Sequence, residues 1–239
     1  MDIQGQENQL ILAFPDREVR CLDTADNRIN RMLERSNISI IGNNNRVLLH
    51  FESEDSAEEL LTGAGFLLIE VDMGTVIVRC SSILGMTGLK LIIGQLPGLG
   101  AGVSRTANGC SVTIGDRVVI NGVTLYLQED HSRVSIGDDS QLSWGVDVWC
   151  TDAHTITDLE GNPVNYAESI EIGRHVWVGK DVKIGKNVRI ADNSIVGWGS
   201  IVTKRFDEPN VILAGTPAKI VKRGINWDRK CINKYTKGL

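Results

Sequence analysis

Between Ile172 and Ile201 apolar residues recur every six positions: Ile172, Val178, Ile184, Ile190 and Val196. The stretch reads IGRHVW VGKDVK IGKNVR IADNSI VGWGSI, five blocks of six without a gap. The second place in each block is small (Gly173, Gly179, Gly185, Ala191, Gly197), and the fifth is Val176, Val182, Val188, Ser194 or Ser200. A period of six is neither the 3.6 of a helix nor the 2 of a strand. It marks a repeat, and repeats have to be recognised before any local assignment. The pattern predicts an all-β chain wound as a parallel β-helix. Short strands lie on flat faces, the chain turns at each corner, and the first-place aliphatics stack inside. Small residues beside the corners leave room for the turns, and glycine tolerates turn backbone that other residues resist. The hand of the winding does not follow from the hexads.

Away from this stretch the signal fades in steps. Residues 112–205 form the regular region. Ile114, Ile120, Ile136, Leu142 and Val148 open further hexads, with Glu129 to Arg133 as a long corner. From 149 to 169 the period fails, and WCTDAHTITDLEGNPVNYAES reads as a polar loop thrown out of one corner. The repeat ends at about 205, and the short C-terminal segment 206–239, basic at its end, is expected to cap the helix. Residues 36–111 read as irregular early coils. Within them, Ile38 to Phe51 carries two apolar runs around Gly42-Asn43-Asn44-Asn45, which fits a hairpin or a solenoid corner. The repeat texture downstream favours the corner. Glu52 to Thr62 reads as a helical excursion, Gly65 to Arg79 as two strands, and 82–109 has no clear pattern. The N-terminal segment, 1–35, shows no six-residue period. A strand at Gln9 to Phe14 and a short helix at Asp23 to Glu34 are expected there.

Composition narrows the classes. The 239 residues suit one large or two small domains, and a solenoid needs no globular core because each coil buries its apolar side on the next. A formal charge of −5 argues against nucleic-acid binding. Five cysteines, with no CxxC spacing, argue against a disulfide framework or a cysteine zinc site and for a reducing cytoplasm. The N-terminal residues do not read as a signal peptide, and no apolar run approaches the roughly 18 residues of a membrane span.

The order of hexads, a D-x-H loop, IGRHVWVG, more hexads, VTKR and AGTPAKIVK resembles the hexapeptide-repeat acyltransferases. Among these it looks most like the O-acetyltransferases of sugars and of bacterial surface polysaccharides such as capsule. The resemblance covers roughly residues 112–223. It implies a left-handed β-helix, a homotrimer with sites between subunits, acetyl-CoA as co-substrate, no metal, and a carbohydrate acceptor. An N-acetyltransferase of amino sugars and a non-catalytic trimeric scaffold are the alternatives.

Acyl transfer to a hydroxyl needs a base, and imidazole suits neutral pH. His154 occupies the place of the family's loop histidine, which is that base. Asp152, two residues earlier, reads as a turn residue that orients the loop. Trp177 takes an outward position where a large aromatic is unusual; the resemblance sets it beside the thioester and facing the His154 loop, whereas interface packing is the plain reading. The resemblance also implies that Gly179 and Gly197 offer backbone groups to the pantetheine arm. Trp198 stands where the family has a small residue beside that arm, and its backbone amide remains usable. Thr203 and Lys204 fall where the cofactor tail binds. Pro217 would pack on adenine, with Lys219, Lys222 and Arg223 toward the phosphates. Asn121 falls where a neighbouring subunit contributes to the pocket. His131, His154 and His175 could suggest zinc, but no two are close in sequence as that site requires. Cys150 belongs to a strand end, and the reaction needs no thiol nucleophile.

Overall fold

The computed structural model describes residues 2–4, 8–21, 25–36, 39–41, 46–51, 53–62, 66–72, 74–80, 83–86, 88–94 and 107–232. These residues are mostly β, with two α-helices. The strands stack in parallel on three faces. The first face runs Gln9–Ala13, Arg46–Phe51, Gly74–Cys80, Ala107–Ile114, Arg133–Ile136, Ser169–Ile172 and Arg189–Ile190. The second stacks Ile83–Met86, the start of Val118–Leu127, the start of Gln141–Trp149, Trp177–Val178, Ile195–Val196 and Val211–Gly215. The third stacks Phe66–Asp72 and Gly88–Gly94 with the ends of those two long strands, then Lys183–Ile184 and Ile201–Val202.

Register confirms the repeat. Ile172 pairs with Ile190, Val178 with Val196 and Ile184 with Val202. Each offset is 18 residues (190 − 172), so three hexads make one rung. All six side chains are buried. The small second place has a concrete cause. A Cβ on Gly137 would lie 2.6 Å from the carbonyl carbon of Gly173 in the next rung, and one on Gly173 would lie 2.4 Å from Asp192 Oδ1. The corners stack as well. Arg117, Asp139, His175, Asn193 and Asn210 all take positive φ, between 52° and 59°. Asn and Asp visit that region more readily than most residues. The amides of the last four donate to the rung below, as His175 N does to Asp138 O at 2.7 Å.

Serines take the fifth place in the last hexads. Ser194 and Ser200 are fully buried, where earlier rungs carry Val176, Val182 and Val188. A buried hydroxyl needs partners. Ser200 Oγ donates to Gly197 O at 2.7 Å and accepts from Gly215 N at 3.2 Å; Ser194 Oγ accepts from Val211 N at 3.4 Å. The chain above these serines leaves the hexad path as an antiparallel hairpin, Val211–Gly215 with Ala218–Arg223.

Upstream, the corner reading of residues 38–51 holds. Ser39–Ile41 pairs with Asp2–Gln4, whereas Arg46–Phe51 pairs with Gln9–Ala13 and Gly74–Cys80, all in parallel. The turn residues 42–45 lie outside the described residues, as does 95–106 of the patternless 82–109 segment. Of that segment's described residues, Ile83–Met86 lies on the second face, Gly88–Gly94 on the third, and 107–109 open the first-face strand Ala107–Ile114. Gln9–Ala13 belongs to the first-face stack although no hexad announces it, and Glu18–Arg20 pairs antiparallel along its outer edge. The helices are Asn27–Arg35, capped by Asp26 accepting from Arg28 N at 2.9 Å, and Glu54–Thr62. Arg28 ties them together through Glu54, Asp55 and Glu58.

Of the segment 206–239, Val211–Gly215 lies on the last rung of the second face, and the last described residues run along the side of the stack. After Gly224 the chain turns back and runs down the first corner. Ile225 N meets Asn210 O at 3.0 Å, Trp227 lies on His175, and Arg229 reaches Asp139 O at 2.6 Å and Arg117 O at 3.1 Å. The stacked corners offer this strap carbonyl oxygens and a ring, which the end of the helix does not.

Candidate active site

Ile136 pairs with Ile172, an offset of 36 residues rather than 18. The loop between the third and first faces therefore adds 18 residues. Both of its stems are fastened to one carboxylate. Thr151 Oγ1 donates to Glu129 Oε1 at 2.9 Å, and Ala167 N to Glu129 Oε2 at 3.0 Å. A second clamp comes from the rung above. The Lys186 ammonium sits 2.5 Å from Asp152 Oδ2 and also donates to Asn165 O. Asn165 closes the ring: its Nδ2 donates to Asp152 Oδ2 at 2.8 Å and to His154 O at 2.9 Å, and its Oδ1 accepts from Ile156 N at 2.8 Å. The backbone on both sides of His154 is thus pinned while its side chain is exposed. Burial raises the Asp152 pKa, but the hydrogen bonds from Lys186 and Asn165 outweigh it and hold the carboxyl below its ordinary value. Asp152 serves the loop and not the imidazole.

Farther out, Asp158 Oδ1 accepts the amides of Glu160 and Asn162 in a tight turn. Ile156, Leu159, Val164 and Tyr166 are all exposed there. Cys150, at the loop's root, is fully buried, and burial pushes its thiol up to about 12. A thiolate nucleophile is disfavoured at that position.

The other sequence-derived candidates gather elsewhere. Trp177 lies on the second face between Gln141 below and Ile195 above. Its indole N–H is buried and has no hydrogen-bond partner among the described residues. Within one chain it does not face the His154 loop; its ring neighbour is Trp227, 5.9 Å away. Gly179, Gly197 and Trp198 share the corner between the second and third faces. The amide of Gly179 donates to Val196 O and that of Gly197 to Leu213 O, both at 2.8 Å. Trp198 folds over Gly179, so that a Cβ there would meet its Cδ1 at 2.6 Å. The amide of Trp198 makes no hydrogen bond among the described residues, and its ring is 76% exposed. The hairpin tip reaches the same corner through Gly215 N and Ser200, and carries exposed Pro217 and Lys219, with Lys222 farther along its second strand. Arg223 instead pairs with Glu208 at 3.0 Å. Thr203 and Lys204 are exposed past the last rung, with Lys204 Nζ over the Phe206 ring at 5.4 Å. Asn121, half-buried, precedes this corner on a lower rung. One chain thus holds His154 at one edge and the other candidates on the second face, at the corner after it and along its upper end.

The histidines do not converge. His131 sits below the loop's corner, bonded to Asn108 O, whereas His175 belongs to the first corner. Among the described residues no group of three His, Cys, Asp or Glu is placed to hold a metal ion. Among the described residues no helix is long and apolar enough to cross a membrane. Glu129, Lys186 and Trp227 escape a sequence reading, because each acts through neighbours that only stacking or folding back supplies.

No protein-family profile matches the chain. Over 123 residues it is 37% identical to a polysialic acid O-acetyltransferase of Escherichia coli O1:K1 / APEC, covering 51% of this chain and 39% of the relative. Over 114 residues it is 36% identical to the galactoside O-acetyltransferase of Escherichia coli strain K12, covering 48% and 55%. The chain thus spans about half the length of the curated relatives it matches. Its fold matches the crystal structure of the polySia specific acetyltransferase NeuO with a TM-score of 0.59 at 26% identity, covering 98% of this chain and 90% of that one. The hexad register, the loop with its D-x-H signature and these likenesses agree: over about half its length the chain resembles the hexapeptide-repeat O-acetyltransferases.

Proposed function

We propose that this protein moves the acetyl group of acetyl-CoA to a hydroxyl of a bacterial surface polysaccharide, working in the cytoplasm as a homotrimer of left-handed β-helices. The observation that carries the reading is the division of labour within one chain. His154 is presented on a doubly clamped loop at one edge, while an unpartnered indole N–H and the tryptophan-lined corner stand elsewhere. A neighbouring copy brings the two halves together. The names of the relatives point to sialic acid polymers or galactosides as acceptors. Free buried cysteines accord with a reducing compartment.

In this mechanism His154 takes the proton of the acceptor hydroxyl as its oxygen attacks the thioester carbonyl. The tetrahedral oxyanion accepts the Trp177 N–H, a kind of term that is commonly large. Collapse breaks the C–S bond, and the proton on His154 passes to the departing sulfur, giving CoA and the acetyl ester. The amides of Gly179 and Gly197 are already bonded, so the pantetheine arm meets the corner through carbonyl oxygens and the Trp198 amide. Pro217 packs on adenine, Lys219, Lys222, Thr203 and Lys204 hold the tail, and Asn121 of the neighbouring copy lines the pocket.

The test is CoA release with acetyl-CoA and a panel of sialic acid oligomers, galactosides and amino sugars. Release that survives His154→Ala would sink the mechanism, and a product stable to mild base would mean an amide. Mixed assemblies of His154→Ala and Trp177→Ala chains should regain activity that neither has alone, because an interface site then has both residues intact. No recovery would place both residues in a single chain's site.

A further inference from the structure

The strap of residues 225–230 has no part in the reaction as described, yet it is fastened more closely than the wall requires. Above, Asn210 Nδ2 donates to Ile225 O at 2.9 Å. Below, Arg229 donates to Asp139 O and Arg117 O and lies 3.7 Å from the Asp139 carboxylate. Between these ends Trp227 lies flat on His175, 4.3 Å between centroids and 9° between planes. Its Nε1–H donates to His175 O at 2.7 Å, its carbonyl is 3.0 Å from His175 Nε2, and Arg229 covers its ring at 5.7 Å. The corner beneath is complete without it: His175 N and Asn193 N are bonded within the stack.

What Trp227 does touch is Trp177, tilted at 42° with centroids 5.9 Å apart. Such tilted pairs are favourable beyond the area they bury. The two indoles differ in one respect: the donor of Trp227 is used, whereas that of Trp177 is buried without an acceptor. Leaving a buried donor unpaired costs about 1–3 kcal/mol, and such a group calls for an explanation. A strap that immobilises the neighbouring ring, and itself makes no claim on the free N–H, supplies one. Donors that stabilise developing charge act most strongly when they are fixed before the reaction.

Resting on the acetyl-transfer reading above, we propose that Trp227 is a positioning residue, and that the strap holds the Trp177 indole so that its N–H is set for the carbonyl oxygen of the thioester. Trp227 acts through Trp177 and does not touch the reacting atoms. Trp227→Ala should lower kcat by up to about a hundredfold, the scale for displacing a reacting group by an ångström, with KM for acetyl-CoA unchanged. Trp227→Phe keeps a ring on His175 and should restore most of kcat. In a Trp177→Phe background Trp227→Ala should add no further loss, since a residue acting through another is silent once that other is gone. Wild-type kcat in Trp227→Ala, equal losses in the Ala and Phe variants, or the full loss in both backgrounds would overturn the proposal. Far-ultraviolet circular dichroism gives a readout independent of activity, because two closely spaced, tilted indoles produce an exciton band that Trp227→Phe removes. Absence of that band from the wild type also overturns the proposal. If the band is present and the wild type transfers no acetyl group, the acetyl-transfer reading has failed and the proposal falls with it.

Discussion

The hexad wall and the loop that leaves it are built on opposite terms. In the wall the backbone amides of faces and corners meet the neighbouring rungs, side chains at the first and fifth places are buried, and glycine stands where the next rung allows no Cβ. In the loop Ile156, Leu159, Val164 and Tyr166 face solvent, and order comes from a few polar side chains: Glu129, Lys186, Asp152 and Asn165. The wall is specified by packing and tolerates little. The loop is specified by hydrogen bonds and exposes His154, the proposed base. Rigid scaffolds carrying functional loops are a common solution, and here the two can be perturbed separately.

The largest expected effect is on chemistry alone. His154→Ala should lower kcat by about 10² to 10⁴ and leave the melting temperature unchanged, since the imidazole is exposed. A lowered melting temperature would mean that loop and wall are not separable. Next comes the wall. Gly137→Ala forces a Cβ against the Gly173 backbone, 2.6 Å away. Such overpacking costs about 1–3 kcal/mol, so thermal unfolding should shift down while the folded fraction keeps its kcat. Glu129→Ala lies between the two regions. It removes the acceptor of both stems, at about 1–3 kcal/mol for unpaired groups, and should show as faster protease nicking in 150–168 with the wall's melting little changed. Full protection would show that the stems hold without it. The smallest effect is the acid response. The Asp152 pKa is depressed in the folded state, so its contribution is complete above the unfolded value of about 4. It is lost as pH falls through the folded value. Loop amides such as Ile156 should lose exchange protection below about pH 4 ahead of wall amides, and Asp152→Asn should remove that difference.

The wall was legible because one geometry repeats. Ile172 to Val196 announce three faces and a tight corner with no knowledge of contacts. The early rungs were not, because strands such as Gln9–Ala13 and Phe66–Asp72 are five and seven residues long and turn at irregular places. His154 stood out because it lies where the period fails. Lys186 did not, since it fills an ordinary third place in IGKNVR and gains its role only by standing over Asp152. Glu129 gathers Thr151 and Ala167 across 22 and 38 residues, a convergence that winding creates. The spacing of Gly179 and Gly197 was visible, but not that their amides are taken by the rung above.

The loop's length has one more consequence. Its 18 added residues equal the length of a rung. Excising 150–167 would join Trp149 to Glu168, leaving Val148-Trp149-Glu168-Ser169-Ile170-Glu171 as a hexad in phase with Ile172-Gly173. The excursion is therefore an in-phase cassette. It can be gained or lost whole without shifting any downstream residue from core to surface, so the chemistry and the architecture of this chain are free to change independently.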